Sequence, residues 1–125
     1  MTIDTFPAAP QFEVADSHAA LFHALAEPTR LALLQHLSTG EHRVRDLVEH
    51  MHLAQSTVSK HLSCLRDCGL VTARTEGRAS WFALTDLRRL SDLLEVADDL
   101  LDTSGTTLSL KNHRNHENLE DGDLR

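Results

Sequence analysis

Between Val44 and Leu84 the apolar residues change period once, and this change restricts the fold more than any other feature of the chain. Up to Cys68 they recur at the three-and-four spacing of helices; from Leu70 onward they alternate, as strands do. Val44, Leu47 and Val48 predict a short helix to about Met51, and His52-Leu53 turn the chain. A longer helix follows from about Gln55 to Cys68, where Gly69 supplies the backbone freedom that ends it. Two short helices around a tight turn read as a helix-turn-helix. Leu70–Arg74 and Ala79–Leu84 read as two short strands joined through Thr75-Glu76-Gly77-Arg78, with Gly77 taking the positive φ of a hairpin. The expected fold is therefore mainly α with a small β-hairpin, a winged helix-turn-helix.

Three further helices complete it. Leu21, Phe22 and Leu25 mark a first helix, with Ser17 or Asp16 able to cap it. Pro28 suits the first turn of a second, whose stripe of Leu31, Leu34 and Leu37 stops before Gly40. Asp86 opens a last helix to about Leu101, with Leu87, Leu90, Leu93, Leu94, Val96, Ala97, Leu100 and Leu101 beside Asp92, Glu95, Asp98 and Asp99. That stripe is wider than a small domain needs to bury, so with the first helix it is expected to form a dimer surface. A chain of 125 residues fits one domain. The expected division is a flexible arm over 1–16, the winged domain over 17–102, and a polar, mobile, histidine-containing tail over 103–125. No basic-then-apolar leader and no long apolar run is present, so a soluble, cytoplasmic protein with no membrane partner is expected.

The net charge of -7 argues against a nucleic-acid partner only as an average. Residues 1–40 and 86–125 are acidic, whereas residues 41–85 hold Arg43, Arg45, Lys60, Arg66, Arg74 and Arg78 against five acids. On a helical projection of the Gln55–Cys68 segment, Val58, Leu62 and Leu65 share the buried face. Ser56, Ser59, Lys60 and Ser63 share the opposite one, a surface of small hydroxyls and one cation suited to the major groove of double-stranded DNA. Gln55, Thr57 and His61 border it, and Arg74 and Arg78 are expected to reach phosphate or minor groove from the hairpin. No HExxH, nucleophile motif or phosphate-cradling glycine loop is present, so an enzyme is not expected.

Both cysteines, Cys64 and Cys68, fall on the flank between core and solvent, one turn apart. Two are too few for a disulfide framework. Residues at this spacing have Cβ atoms roughly 5 to 6 Å apart, close enough for two thiolates to hold one soft ion. Packing as small hydrophobes and oxidation to a strained disulfide stay open beside metal binding.

Residues 18–101 resemble the ArsR/SmtB metal-responsive winged-helix repressors. The landmarks are Ala24-Leu25-Ala26-Glu27-Pro28-Thr29-Arg30-Leu31, Gln55-Ser56-Thr57-Val58-Ser59-Lys60-His61-Leu62, Leu65-Arg66-Asp67-Cys68-Gly69-Leu70-Val71 and Glu76-Gly77-Arg78. The resemblance implies a homodimer that binds operator DNA in the apo form and leaves it when a metal or metalloid binds. One branch of that family carries Cys-x-Cys where this chain has Arg43-Val44-Arg45, and another carries last-helix ligands where it has Asp86, Arg88, Asp99 and Asp102; an arginine cannot ligate. The cadmium- and lead-sensing branch, with cysteines in the recognition helix, is the one similar to Leu62-Ser63-Cys64-Leu65-Arg66-Asp67-Cys68-Gly69-Leu70. The implied effector is a soft divalent ion (Cd, Pb or Zn) on Cys64 and Cys68. This chain has no third cysteine, so further ligands are expected from His113 and His116 of the tail or from His61. A repressor of the same fold that senses oxidation of the two thiols is the alternative.

Overall fold

The structure, a computed structural model, describes residues 11–104. Its elements are α1 (Asp16–Leu25), α2 (Pro28–Leu37), β1 (His42–Arg43), α3 (Val44–Met51), α4 (Gln55–Asp67), β2 (Val71–Glu76), β3 (Ala79–Leu84) and α5 (Leu87–Ser104). They fall into two units, one ending at Thr85 and one opening at Asp86.

In the first unit local chemistry sets each boundary. Ala15, not Ser17 or Asp16, is the residue before α1; Asp16 lies inside the first turn, where its charge complements the helix dipole. Pro28 occupies the first turn of α2 as expected, and the Glu27 carboxylate accepts from the Arg30 N–H at 2.9 Å. Asp46 accepts from the Arg43 N–H at the start of α3. The turn between α3 and α4 passes, as expected, through His52, which takes the left-handed region at φ 56°. Gly69 at φ 79° closes α4: its N–H reaches the Arg66 carbonyl at 2.9 Å and the Leu70 N–H reaches Leu65 at 2.9 Å. This paired arrangement is the Schellman motif; the helix ends at Asp67, one residue earlier than its sequence pattern suggests, and Cys68 is its C-cap.

The hairpin expected after Gly69 is present, but β2 runs two residues farther, to Glu76, so only Gly77 and Arg78 connect the strands. A third strand, β1, joins β3 through His42↔Phe82 and Arg43↔Trp81, giving the antiparallel order β1-β3-β2. The core beneath is formed by Ala24, Leu33, Leu34, Leu37, Leu47, Val58, Leu62, Leu65, Val71 and Phe82, all buried. Each large side chain there contributes about 1.5 to 3 kcal/mol. Since Val58, Leu62 and Leu65 are the buried face of α4, its opposite face must look outward.

Among the described residues, the second unit is one helix. Asp86, expected inside it, instead caps it by accepting from the Arg89 N–H at 3.0 Å, and α5 takes in Thr103 and Ser104, which the sequence reading placed in the tail. None of the helices among the described residues is long and apolar enough to cross a membrane.

Candidate nucleic-acid interface and thiol pair

The outward face of α4 carries Gln55, Ser56, Lys60 and Ser63, all exposed, with Thr57 and Ser59 half-buried at its margins. No side chain caps the amino end of this helix. Its first N–H groups therefore point at the surface, where a helix dipole favours an anion. Arg43, Val44, Arg45, Gln55, Arg78, Ala79 and Ser80 line a cleft of about 330 Å³ at the same end. Arg45 and Arg78 are exposed there. The cleft is thus bounded by the α4 amino end, the start of α3 and the hairpin tip, with three guanidiniums around it. Gln55 and Arg78 are expected at the interface from sequence, whereas Arg43 and Arg45 stand out there only as part of the basic middle segment and in place of cysteines. Their signal was the local excess of positive charge over residues 41–85.

Arg74 is differently placed from what its position on the hairpin led one to expect. Its Nε and Nη2 donate to both oxygens of Glu41 at 2.7 and 2.8 Å, and its Nη1 donates to Glu76 at 2.8 Å. The two carboxylates hold the guanidinium firmly protonated, and in return Arg74 holds the Glu41 carboxyl below the usual carboxylate range. Trp81 is flanked by Arg74 and Arg43, whose guanidinium carbons lie 5.4 and 5.5 Å from the ring centroid. Arg74 is therefore engaged by its own chain and does not extend free toward a phosphate.

His61 also departs from expectation. It is half-buried, with Nδ1 3.4 Å from Nη1 of Arg30. Arg30 in turn donates to the carbonyls of Ala24 at 2.7 Å and His23 at 3.0 Å, closing the end of α1. Since a guanidinium only donates, Nδ1 of His61 accepts and the proton sits on Nε2. Beside a fixed cation, His61 is poorly placed both to meet DNA and to ligate a metal ion.

Cys64 and Cys68 are free thiols, both half-buried on the flank that their spacing predicted. The Cys68 thiol donates to the Ala20 carbonyl of α1 at 3.7 Å. Burial, the nearby Cys64 and then Asp67 push its pKa up, with Arg30 opposing, so Cys68 is held as a thiol. Two sulfurs on one flank suit a soft ion by donor chemistry. Among the described residues, no three His, Cys, Asp or Glu side chains are arranged as a ready metal centre. His113 and His116 lie outside the described residues.

Residues 27–73 match the family model of the bacterial regulatory proteins of the arsR family. The chain is 46% identical over 82 residues to a probable mercury resistance operon repressor of Streptomyces lividans, covering 66% of this chain and 65% of that protein. It is 47% identical over 81 residues to the HTH-type transcriptional regulator CmtR of Mycobacterium bovis, covering 62% of this chain and 69% of that one. Against the first of these relatives the match spans just under two thirds of the relative's length. Among solved structures, a homodimeric winged helix-turn-helix DNA-binding domain from Mycobacterium bovis, a possible ArsR-family regulator, superposes with a TM-score of 0.63 at 31% identity, over 70% of this chain and 84% of that one.

Proposed function

Since this chain belongs to the ArsR family of bacterial regulatory proteins, we propose that it is a cytoplasmic, homodimeric transcriptional repressor whose DNA-reading helix α4 is also its sensor of a soft metal ion. The observation that carries this reading is the position of Cys64 and Cys68. They lie on the flank of the helix whose outward face presents Gln55, Ser56, Lys60 and Ser63, and Cys68 is tied to α1 through Ala20. Ser59 and Thr57 at the margins, Arg78 at the hairpin tip, and Arg43 and Arg45 around the cleft supply the remaining DNA contacts. The homodimer is supported by the likeness to a solved homodimeric domain and by apolar residues left exposed on α1 and, separately, on α5.

Cys64 and Cys68 would hold the ion, of the class of Cd(II), Pb(II), Hg(II) or Zn(II), with His113 and His116 of the tail as further ligands. A soft ion is held by thiolate, not by thiol. For this the Cys68 proton must leave and the bond to Ala20 must break, so ligand binding and the seating of α4 against α1 are one event. A differential of about 1 to 3 kcal/mol between the two seatings changes operator affinity 5- to 150-fold.

The test is a titration of the operator complex with each ion, followed by fluorescence anisotropy, using wild type, Cys64→Ser, Cys68→Ser and His113→Gln/His116→Gln. Wild type should release DNA and both serine variants should stay bound. Release that is unchanged in both would exclude the thiol pair as sensor. Release by peroxide without metal, reversed by reductant, would assign the pair to redox sensing instead.

A further inference from the structure

Three imidazoles come together from three elements, none of them α4. His36 comes from the last turn of α2, His42 from β1 and His50 from the last turn of α3. The His36 and His50 ring centroids are 5.2 Å apart, and those of His42 and His50 are 6.0 Å apart. We propose that His36, His42 and His50 form a second, all-nitrogen site for a borderline divalent ion of the Zn(II) class, independent of Cys64 and Cys68.

Spacing is the first argument. Zinc–imidazole bonds of about 2.0 to 2.1 Å at tetrahedral or somewhat wider angles place two ring centroids roughly 5 to 6 Å apart. Both separations put the rings of His36 and His42 within one ion's span of His50, whose ring sets the final angles. The second argument is the orientation of His42, whose Nδ1 lies 2.8 Å from the Gly40 carbonyl. A carbonyl can only accept, so Nδ1 carries the proton and Nε2 keeps its lone pair, which is how outer-shell carbonyls orient metal-binding imidazoles. Asp46, the acid that feels the charge of His42, is already engaged by Arg43. Imidazole nitrogen therefore defines the donor set, and it favours Zn(II) over the softest ions.

What the rings lack is convergence. His36 and His50 stack at 23°, and two nearly parallel planes cannot both point at one ion. His50 is exposed, so it can turn about its side-chain torsions without disturbing the core. An ion captured there would tie the end of α2 and β1 to α3, the first helix of the DNA-reading pair.

Cobalt(II) is the probe, in full-length Cys64→Ser/Cys68→Ser/His113→Gln/His116→Gln, which removes the thiols and the tail imidazoles. The expected result is one equivalent bound per chain, with visible ligand-field bands, no thiolate charge-transfer band in the near ultraviolet, and displacement by Zn(II). Adding His50→Gln, or separately His42→Gln, should abolish that equivalent while circular dichroism shows the fold retained. Adding His52→Gln, two residues along the same turn, should leave it. No stoichiometric binding in the background variant, binding that survives both His50→Gln and His42→Gln, or equal loss with His52→Gln would each overturn the proposal. Because the background lacks the thiols, failure here leaves the Cys64/Cys68 reading standing, and the reverse.

Discussion

At the scale of single residues, Arg74 and Arg78 sit on one hairpin and have different electrostatic roles. Arg78 is exposed at the mouth of a cationic cleft, whereas Arg74 is neutralised by Glu41 and Glu76. A phosphate can recruit Arg74 only by displacing two carboxylates. Arg78→Ala is therefore expected to weaken operator binding and lower the slope of log affinity against log salt by about one, while Arg74→Ala changes both less. Glu41→Gln should do the opposite, strengthening binding at low salt and steepening the slope by up to about one as Arg74 loses one of its two carboxylates. Anisotropy titrations across a salt series read all three, and equal slopes for the two arginine variants would contradict this assignment. The pH dependence has a definite sign. Because Arg74 depresses the Glu41 pKa, the pair is complete above the ordinary carboxylate range and opens only as pH falls below it, so it adds no pH dependence between about pH 5 and 8. None of this was visible in sequence, since Glu41 lies 33 residues from Arg74 and the two meet only through the sheet.

At the scale of elements, legibility followed local signal. α2 and α4 could be read because Pro28 and Gly69 mark their ends and leucines mark their faces, and those faces are the ones buried. β1 could not, because two residues have no period; the strand exists only because Phe82 and Trp81 of β3 offer backbone partners. The site divides the same way: the polar and thiol stripes of α4 follow from spacing within one helix, whereas the placement of His61 depends on Arg30 in another. Gly69 links the two levels, since its φ of 79° both ends α4 and fixes the Cys68 backbone. A Cβ there would meet no atom within 4 Å, so the cost of Gly69→Ala is purely conformational. It should destabilise the protein by about 1 kcal/mol in thermal or urea melts. It should also weaken Cd(II) binding by shifting Cys68 relative to Cys64, a loss that a purely distant destabilisation would not produce below the melting range.

At the scale of the whole molecule, the two units separately leave apolar surface in water. In the first, Phe22 of α1 is 54% exposed; in the second, Val96 and Leu100 of α5 are 63% and 69% exposed, with Leu87 and Leu94 also open. Scattered apolar residues are ordinary on a surface, but on α5 they recur along one helix whose other positions include Asp92, Glu95, Asp98 and Asp99. Such a helix has an apolar face with a charged border, the pattern that a second copy covers. Two copies also suit the reading of DNA, because half-sites about one helical turn, roughly 34 Å, apart require two recognition helices held at a fixed separation. Val96→Glu/Leu100→Glu should therefore convert the dimer to a monomer in sedimentation velocity while leaving the helical content unchanged. Operator affinity should fall on the order of a hundredfold or more, because each α4 then binds without the effective concentration its partner supplied. Phe22→Glu tests the α1 surface in the same way. A double variant that remains dimeric and binds operator normally would remove the α5 face from the interface and leave α1 as the surface to explain.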